Sequence, residues 1–309
     1  MPSAWAERDV GDLDGHTALV TGANAGLGFE VARLLAEHGA RVLLACRDPG
    51  RAERATSALR ARGVRGPVET RPLDLASLAS IDALTSRIRD EEQALSVLVN
   101  NAGLMGVDRG RTADGFEVHF GVNHLGHFAL TAGLLPVLLR SPGARVVTMS
   151  SMGHHLGRMH FDDLQYERRR YSRWGAYVQS KLANLLFTAE LDRRLGPTSS
   201  VRALAAHPGA SSTRLGFEGA GIGNAAVRFF APRGGQSAAI GARPAVRAAT
   251  DPTARGGELY GPRYVVFGVT PVRETPSRRA RRPDDARTLW SISERLIGRE
   301  VLEATPRQR

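Results

Sequence analysis

The chain has 309 residues, 42% of them hydrophobic, and its 42 Lys and Arg against 31 Asp and Glu give a formal charge of +11. That length and apolar content exclude fibrous and disordered classes and suffice for a sizeable core. The one cysteine, Cys46, excludes a disulfide framework or a cysteine-rich zinc site and fits a reducing, cytoplasmic setting.

Residues 1–15 hold Glu7, Asp9, Asp12 and Asp14 and no continuous apolar stretch, so neither a signal peptide nor an anchor is expected. No later run is read as approaching the roughly 20 apolar residues of a membrane span. Short apolar runs at 17–21, 41–45, 68–73, 95–99, 145–149 and 201–205 read as buried strands. Between them, 29–37, 50–62, 78–92, 116–139 and 176–195 have helical spacing and length. This repetition predicts an α/β fold, a doubly wound parallel sheet with helices on both faces, in a single domain over 1–309 with its core at about 15–262. Such a sheet binds its ligand outside the carboxyl ends of the strands.

After residue 207 the pattern loosens. Gly216, Gly219, Gly221, Gly223 and Pro232 mark 208–235 as a long loop at the edge of the scaffold, and its Leu215, Phe217, Ile222, Phe229 and Phe230 suggest a bulky, apolar substrate. One more helix is expected at 236–249, a short strand at 257–260, and a terminal helix at 284–297 beyond an Arg/Pro-rich linker.

The first strand runs directly into Thr21-Gly22-Ala23-Asn24-Ala25-Gly26-Leu27-Gly28 and then a helix. Glycines in that position permit a tight turn and close approach of backbone to a diphosphate, and the helix N-terminus offers free N–H groups. The spacing is Gly-x₃-Gly-x-Gly rather than the general dinucleotide fingerprint. It resembles that of the classical short-chain dehydrogenase/reductase family, and five further motifs follow in the family's order. They are Asn100-Asn101-Ala102-Gly103 after the fourth strand, Asn123 in mid-helix, Ser150-Ser151 after the fifth strand with Tyr177-x-x-x-Lys181, and Pro208-Gly209 after the sixth. The segments 45–48, 151–155 and 180–184 are similar to the retinol-dehydrogenase-like branch.

The resemblance implies a Rossmann-type oxidoreductase moving a hydride between a nicotinamide and a small-molecule carbonyl or alcohol. It implies Asn123, Ser151, Tyr177 and Lys181 as catalytic residues. Cofactor contacts would come from Gly22, Asn24, Ala25, Gly26, Leu27, Gly28, Arg47, Asp74, Leu75, Asn101, Ala102, Gly103, Tyr177, Lys181, Pro208 and Gly209. By the same analogy Lys181 holds the nicotinamide ribose, Asn123 positions a relay water, and the chain pairs as a homodimer or homotetramer.

The residue chemistry points the same way. Tyr177 and Lys181 are four apart on one helix face; a phenol titrates near pH 10, and a nearby ammonium is expected to lower it towards the working range. Lys181 is also the only lysine among the 42 basic residues, and a compact, tunable ammonium is not replaceable by a guanidinium fork. Ser151 is placed to donate to a substrate oxygen, with Ser150 as a strand-end hydrogen-bonder. Asn123 has an alternative reading as a helix cap or kink.

Cofactor choice is expected to be set after the second strand, where a carboxylate would accept from the ribose 2′-OH and an arginine would take a 2′-phosphate. Arg47 stands there, so NADP(H) is expected over NAD(H), with a pairing of Asp48 to Arg47 as the opposing possibility. No metal site is expected: His119, His124 and His127, like His154, His155 and His160, lack ligand spacing. The insertion at 157–174, with Asp162-Asp163 and Arg168–Arg170, reads as a cleft wall or a solvated surface. Its arginine run and the one at 278–282 come without a nucleic-acid-binding pattern. A cofactor-sensing regulator, or a C=C reductase or epimerase, is the alternative on the same fold.

Overall fold

The core strands are apolar along their length because both faces of the sheet are covered. In the computed structural model, which describes residues 5–210 and 236–302, successive strand residues enter opposite layers. Ala18 and Val20 of β1 (Thr17–Thr21) and Val42 and Leu44 of β2 (Arg41–Cys46) face one layer, while Leu19, Leu43 and Ala45 face the other. Strands β3 (Val68–Pro72), β4 (Val97–Asn100), β5 (Arg145–Met149), β6 (Arg202–Ala206), β7 (Leu259–Pro262) and β8 (Pro271–Glu274) complete one eight-stranded sheet in the order β3-β2-β1-β4-β5-β6-β7-β8. All pairs are parallel except β7 with β8. The winding reverses between β1 and β4, so the crevice lies at their carboxyl ends.

Helices α1 (Gly26–Glu37) and α6 (Ala238–Thr250) pack on one face. On the other lie α3 (Leu78–Glu91), α4 (Val118–Leu139), α5 (Arg173–Leu195) and α7 (Pro283–Ile297). Side-chain caps start most of these helices. Asp48 accepts from Arg51 N to open α2 (Pro49–Ala61), and Ser77, Ser172 and Ser237 open α3, α5 and α6 in the same way. The start of α1, at Ala25, has no such cap.

Three features depart from the sequence expectations. Helix α4 contains a π turn, Gly121–Leu125, so the helix widens around the buried Asn123. That helix also has the length and mean hydropathy, 1.4, of a membrane span, although 78% of its apolar window is buried within the fold. The segment read as a linker after 270 is instead built into the structure. Strand β8 adds antiparallel to β7 with Leu259 opposite Glu274, and Arg279 of a 3₁₀ turn donates to Gly157 O at 2.9 Å. Pro-Val-Arg-Glu has no apolar alternation, so only its partner strand makes it a strand.

Burial holds three histidines neutral: His124 is pushed down to about 3, and His127 and His154 to about 4. Below about pH 6.5 the unfolded chain takes up protons that the folded chain does not, so stability falls as pH drops through that window towards 4. His124 sits among Phe120, Phe128 and Phe187. Thermal unfolding between pH 7 and 4 is expected to show a shallower loss of Tm in His124→Phe than in the wild type; parallel curves would refute the assignment.

Candidate active site

The crevice is built on close backbone approach. Gly22 is in the left-handed region, φ 65°, and a Cβ there would lie 2.9 Å from Ala102 Cβ; at Gly28 a Cβ would lie 2.4 Å from Asn101 Nδ2 and 2.6 Å from Gly22 O. Asn101 Nδ2 donates to Thr21 O at 2.8 Å. The glycine turn and the Asn-Asn-Ala-Gly segment are thus pressed together across β1 and β4. With Asn24, Ala25, Gly26 and Leu27 they lead into the uncapped start of α1, whose first turn carries no acidic residue. Its N–H groups suit a diphosphate, and the cradle fits a dinucleotide.

Arg47, just past β2, is exposed and has no ion pair or hydrogen bond among the described residues. The pairing of Asp48 with Arg47 does not form, because Asp48 caps α2 and lies 3.5 Å from Arg51. Past β3, Asp74 closes its own turn by accepting from Ala76 N at 2.9 Å, and Leu75 is buried.

Across the crevice, α5 presents Tyr177 and Lys181, both buried. Ser150 Oγ donates to Lys181 O at 2.8 Å and locks β5 to this helix, leaving Ser151 at the strand end. Ser151 Oγ accepts from Gly153 N at 3.1 Å, and its side chain draws the Tyr177 pKa down against the effect of burial. The expected lowering of the Tyr177 pKa by Lys181 is not what this geometry gives. Lys181 Nζ donates to Met149 O at 3.1 Å and lies 6.0 Å from the Tyr177 ring centre. Burial dominates both groups, raising Tyr177 to about 12 against the effect of Ser151 and lowering Lys181 to about 8.

Asn123 approaches the same place, since a Cβ on Gly103 would lie 3.1 Å from Asn123 Oδ1 and 3.4 Å from Lys181 Nζ. Its side chain is fully engaged. Oδ1 accepts from Leu104 N at 2.7 Å, and Nδ2 donates to Leu104 O at 3.0 Å and Ser180 Oγ at 2.9 Å. It therefore clamps the chain after β4 to the π turn and to α5.

The short chain dehydrogenase family model matches residues 16–220. Retinol dehydrogenase 12 of Homo sapiens is 44% identical over 286 residues, which span 93% of this chain and 87% of that protein. The chain belongs to the short-chain dehydrogenase family, in its retinol-dehydrogenase-like branch. Retinol dehydrogenase 11 of Mus musculus is 50% identical over 203 residues, 66% of this chain and 64% of that one. Among solved structures, an uncharacterised protein from Mycobacterium Paratuberculosis is 43% identical with TM-score 0.81, covering 97% of this chain and 100% of its own. As a member of this family the chain is an NAD(P)-dependent oxidoreductase acting on CH–OH and C=O groups.

Several residues of this short-chain dehydrogenase site carry no sequence motif. The Thr21 hydroxyl accepts from Asn101 N and Ala102 N, both at 2.9 Å, and donates to His127 Nε2 at 2.9 Å. His127 Nδ1 in turn donates to Asn123 O at 3.1 Å. The one available signal is the four-residue step from Asn123 to His127 on a helix. The other histidines of that stretch have separate partners. His124 meets Ser293, while buried His119 joins Glu117 and Tyr171 and has its ring 6.4 Å from that of Tyr177. Tyr171 and Trp174, whose ring is 6.1 Å from Tyr177, come from the insertion, which therefore forms a cleft wall. Its Asp163 is an internal brace, accepting from Glu167 N and Arg169 N. Pro208 and Gly209 follow β6 at the same edge of the sheet. The apolar residues read as a substrate loop, Leu215 to Phe230, lie outside the described residues.

Thr21→Val, nearly isosteric, leaves two backbone N–H groups and His127 Nε2 without their partner. The expected loss in urea unfolding is about 1–3 kcal/mol, together with weaker cofactor binding. An unchanged midpoint would show that this hydroxyl does not hold the crevice.

Proposed function

We propose that this chain is an NADP(H)-dependent carbonyl reductase working through Ser151, Tyr177 and Lys181 on an apolar aldehyde, ketone or the corresponding alcohol. The observation that carries the cofactor choice is Arg47, exposed at the carboxyl end of β2 with no carboxylate paired to it among the described residues. A guanidinium there favours a 2′-phosphate, and the ribose 2′-OH of the unphosphorylated cofactor finds no acceptor of the usual kind. The relatives' name, retinol dehydrogenase, supports an apolar alcohol or aldehyde as the substrate class.

A nicotinamide cofactor, when bound, supplies or accepts the hydride. Gly22 to Gly28, Asn101 to Gly103, and Pro208 and Gly209 would hold it, with Asp74 and Leu75 at its adenine end. Tyr177 keeps its proton at neutral pH, because burial pushes its pKa to about 12, and so stands as the donor to a substrate oxygen that gains charge. Ser151 directs a second hydrogen bond to that oxygen. Lys181, with its pKa near 8, is cationic at pH 7 and, held on Met149 O rather than on the phenol, would serve as a point donor to the nicotinamide ribose hydroxyls. Asn123 fixes the chain beside both.

Purified protein is expected to turn over NADPH in preference to NADH, and Arg47→Ser is expected to cost about ten- to a hundredfold in NADPH affinity. Tighter binding of NADH would overturn the cofactor choice. Tyr177→Phe should lower turnover by about two to four orders of magnitude with cofactor binding nearly intact. Reduction should decline above about pH 8 as Lys181 loses its proton, and Lys181→Arg should lose most of the activity. Normal turnover in that variant would contradict the need for a point charge.

A further inference from the structure

His207 and Glu274 form a buried pair that no motif announces. His207 is fully buried directly after β6, and its backbone N–H donates to Tyr260 O at 2.9 Å. Its Nδ1 accepts from Gly209 N at 3.2 Å, and its Nε2 lies 3.0 Å from Glu274 Oε2. A backbone N–H only donates, so Nδ1 is bare and the ring proton sits on Nε2, directed at the carboxylate. Gly261 of β7 makes room for the contact: a Cβ there would lie 2.1 Å from Glu274 Oε1 and 2.3 Å from His207 Nε2.

The same hairpin grips the turn from its other side. Ala210 N donates to Val266 O at 2.8 Å, Gln236 N donates to Ala210 O at 2.8 Å, and Gly268 N donates to Gln236 Oε1 at 3.0 Å. The turn is thus held between His207 and the β7–β8 hairpin. Nearby, the ring of His154, whose Nδ1 donates to Ser151 O at 2.7 Å, lies 6.5 Å from that of His207.

We propose that Glu274 and His207 are positioning residues for the nicotinamide end of the cofactor: the carboxylate fixes the Nε2–H tautomer, and bare Nδ1 then holds Gly209 N and the Pro208–Gly209 turn in place. The inference rests on the reading that this turn borders the nicotinamide. It assigns the last, antiparallel strand a task in cofactor binding rather than in closing the sheet alone. Because the pairing needs an acceptor at Glu274 and not its charge, an amide serves equally well.

The test is NADPH titration by fluorescence, with steady-state kinetics and melting curves, on the wild type, Glu274→Gln, Glu274→Leu and Arg273→Ala. Arg273 lies on the same strand, paired to Glu258 and away from His207, so its variant reports what loosening β8 does alone. Glu274→Gln should stay within about twofold of wild type, while Glu274→Leu should raise the NADPH Kd and KM about five- to tenfold with a smaller change in kcat. Should Glu274→Leu not fold, His207→Asn serves instead: it retains an acceptor near Gly209 N and should bind NADPH more tightly than His207→Leu. The inference falls if Glu274→Gln is as impaired as Glu274→Leu, if His207→Asn binds no better than His207→Leu, or if Kd simply follows melting temperature across all variants. A wild-type chain that binds neither nicotinamide cofactor removes the reading beneath the inference and the inference with it, whereas wild-type binding with an unaffected Glu274→Leu overturns the inference alone.

Discussion

One hydroxyl, that of Thr21, ties together the strands on either side of the point where the sheet reverses its winding. It accepts two backbone N–H groups from the chain leaving β4 and gives its proton to His127, which holds the carbonyl of Asn123. Thr21, His127 and Asn123 are buried and the two N–H groups half-buried, so a missing partner would leave polar atoms with little access to water. The glycine turn, the Asn-Asn-Ala-Gly segment and the π turn of α4 therefore hold their relative positions through hydrogen bonds centred on one buried hydroxyl. The close contacts at Gly22 and Gly28 depend on that fixed spacing.

Burial also sets the chemistry on the other side of the crevice. Tyr177 and Lys181 are both displaced towards their neutral forms, and the lysine is drawn to Met149 O rather than to the phenol. A phenol that holds its proton beside a cation that barely holds its own is a different device from a phenolate poised by a neighbouring charge. It suits proton donation, and it makes the positive charge the group that titrates near neutrality. Arg in place of Lys181 would remain charged throughout that range and would bring a planar fork into a site shaped for one point donor.

Elements remote in sequence carry the supports of this site. The insertion brings Tyr171 and Trp174 against the buried Glu117–His119 pair and the ring of Tyr177. Glu117 stays ionised there because, although burial works against it, hydrogen bonds from His119 hold its carboxyl below the usual range. The β7–β8 hairpin grips the Pro208–Gly209 turn in an equivalent way, with Glu274 reaching His207 across the space left by Gly261.

The order of strands and helices and the glycine turn were legible in the chain itself, because strand burial, helical period and close-approach glycines are local constraints, and the four residues singled out by motif, Asn123, Ser151, Tyr177 and Lys181, stand around one crevice. Ser150 was read as a strand-end hydrogen-bonder, and in the structure its Oγ locks β5 to α5. Strand β8 was not legible, since Pro-Val-Arg-Glu has no pattern of its own and becomes a strand only by pairing with β7. Nor were the roles of Thr21, His127, His207 and Glu274, whose partners lie 67 to 106 residues away or, for His127 and His207, acquire meaning only through such a partner. The direction of the Tyr177 shift was misjudged from spacing for the same reason. Sequence separation places Lys181 one helical turn away, but the depth of burial and the competing Met149 carbonyl, both products of tertiary packing, decide which charge survives.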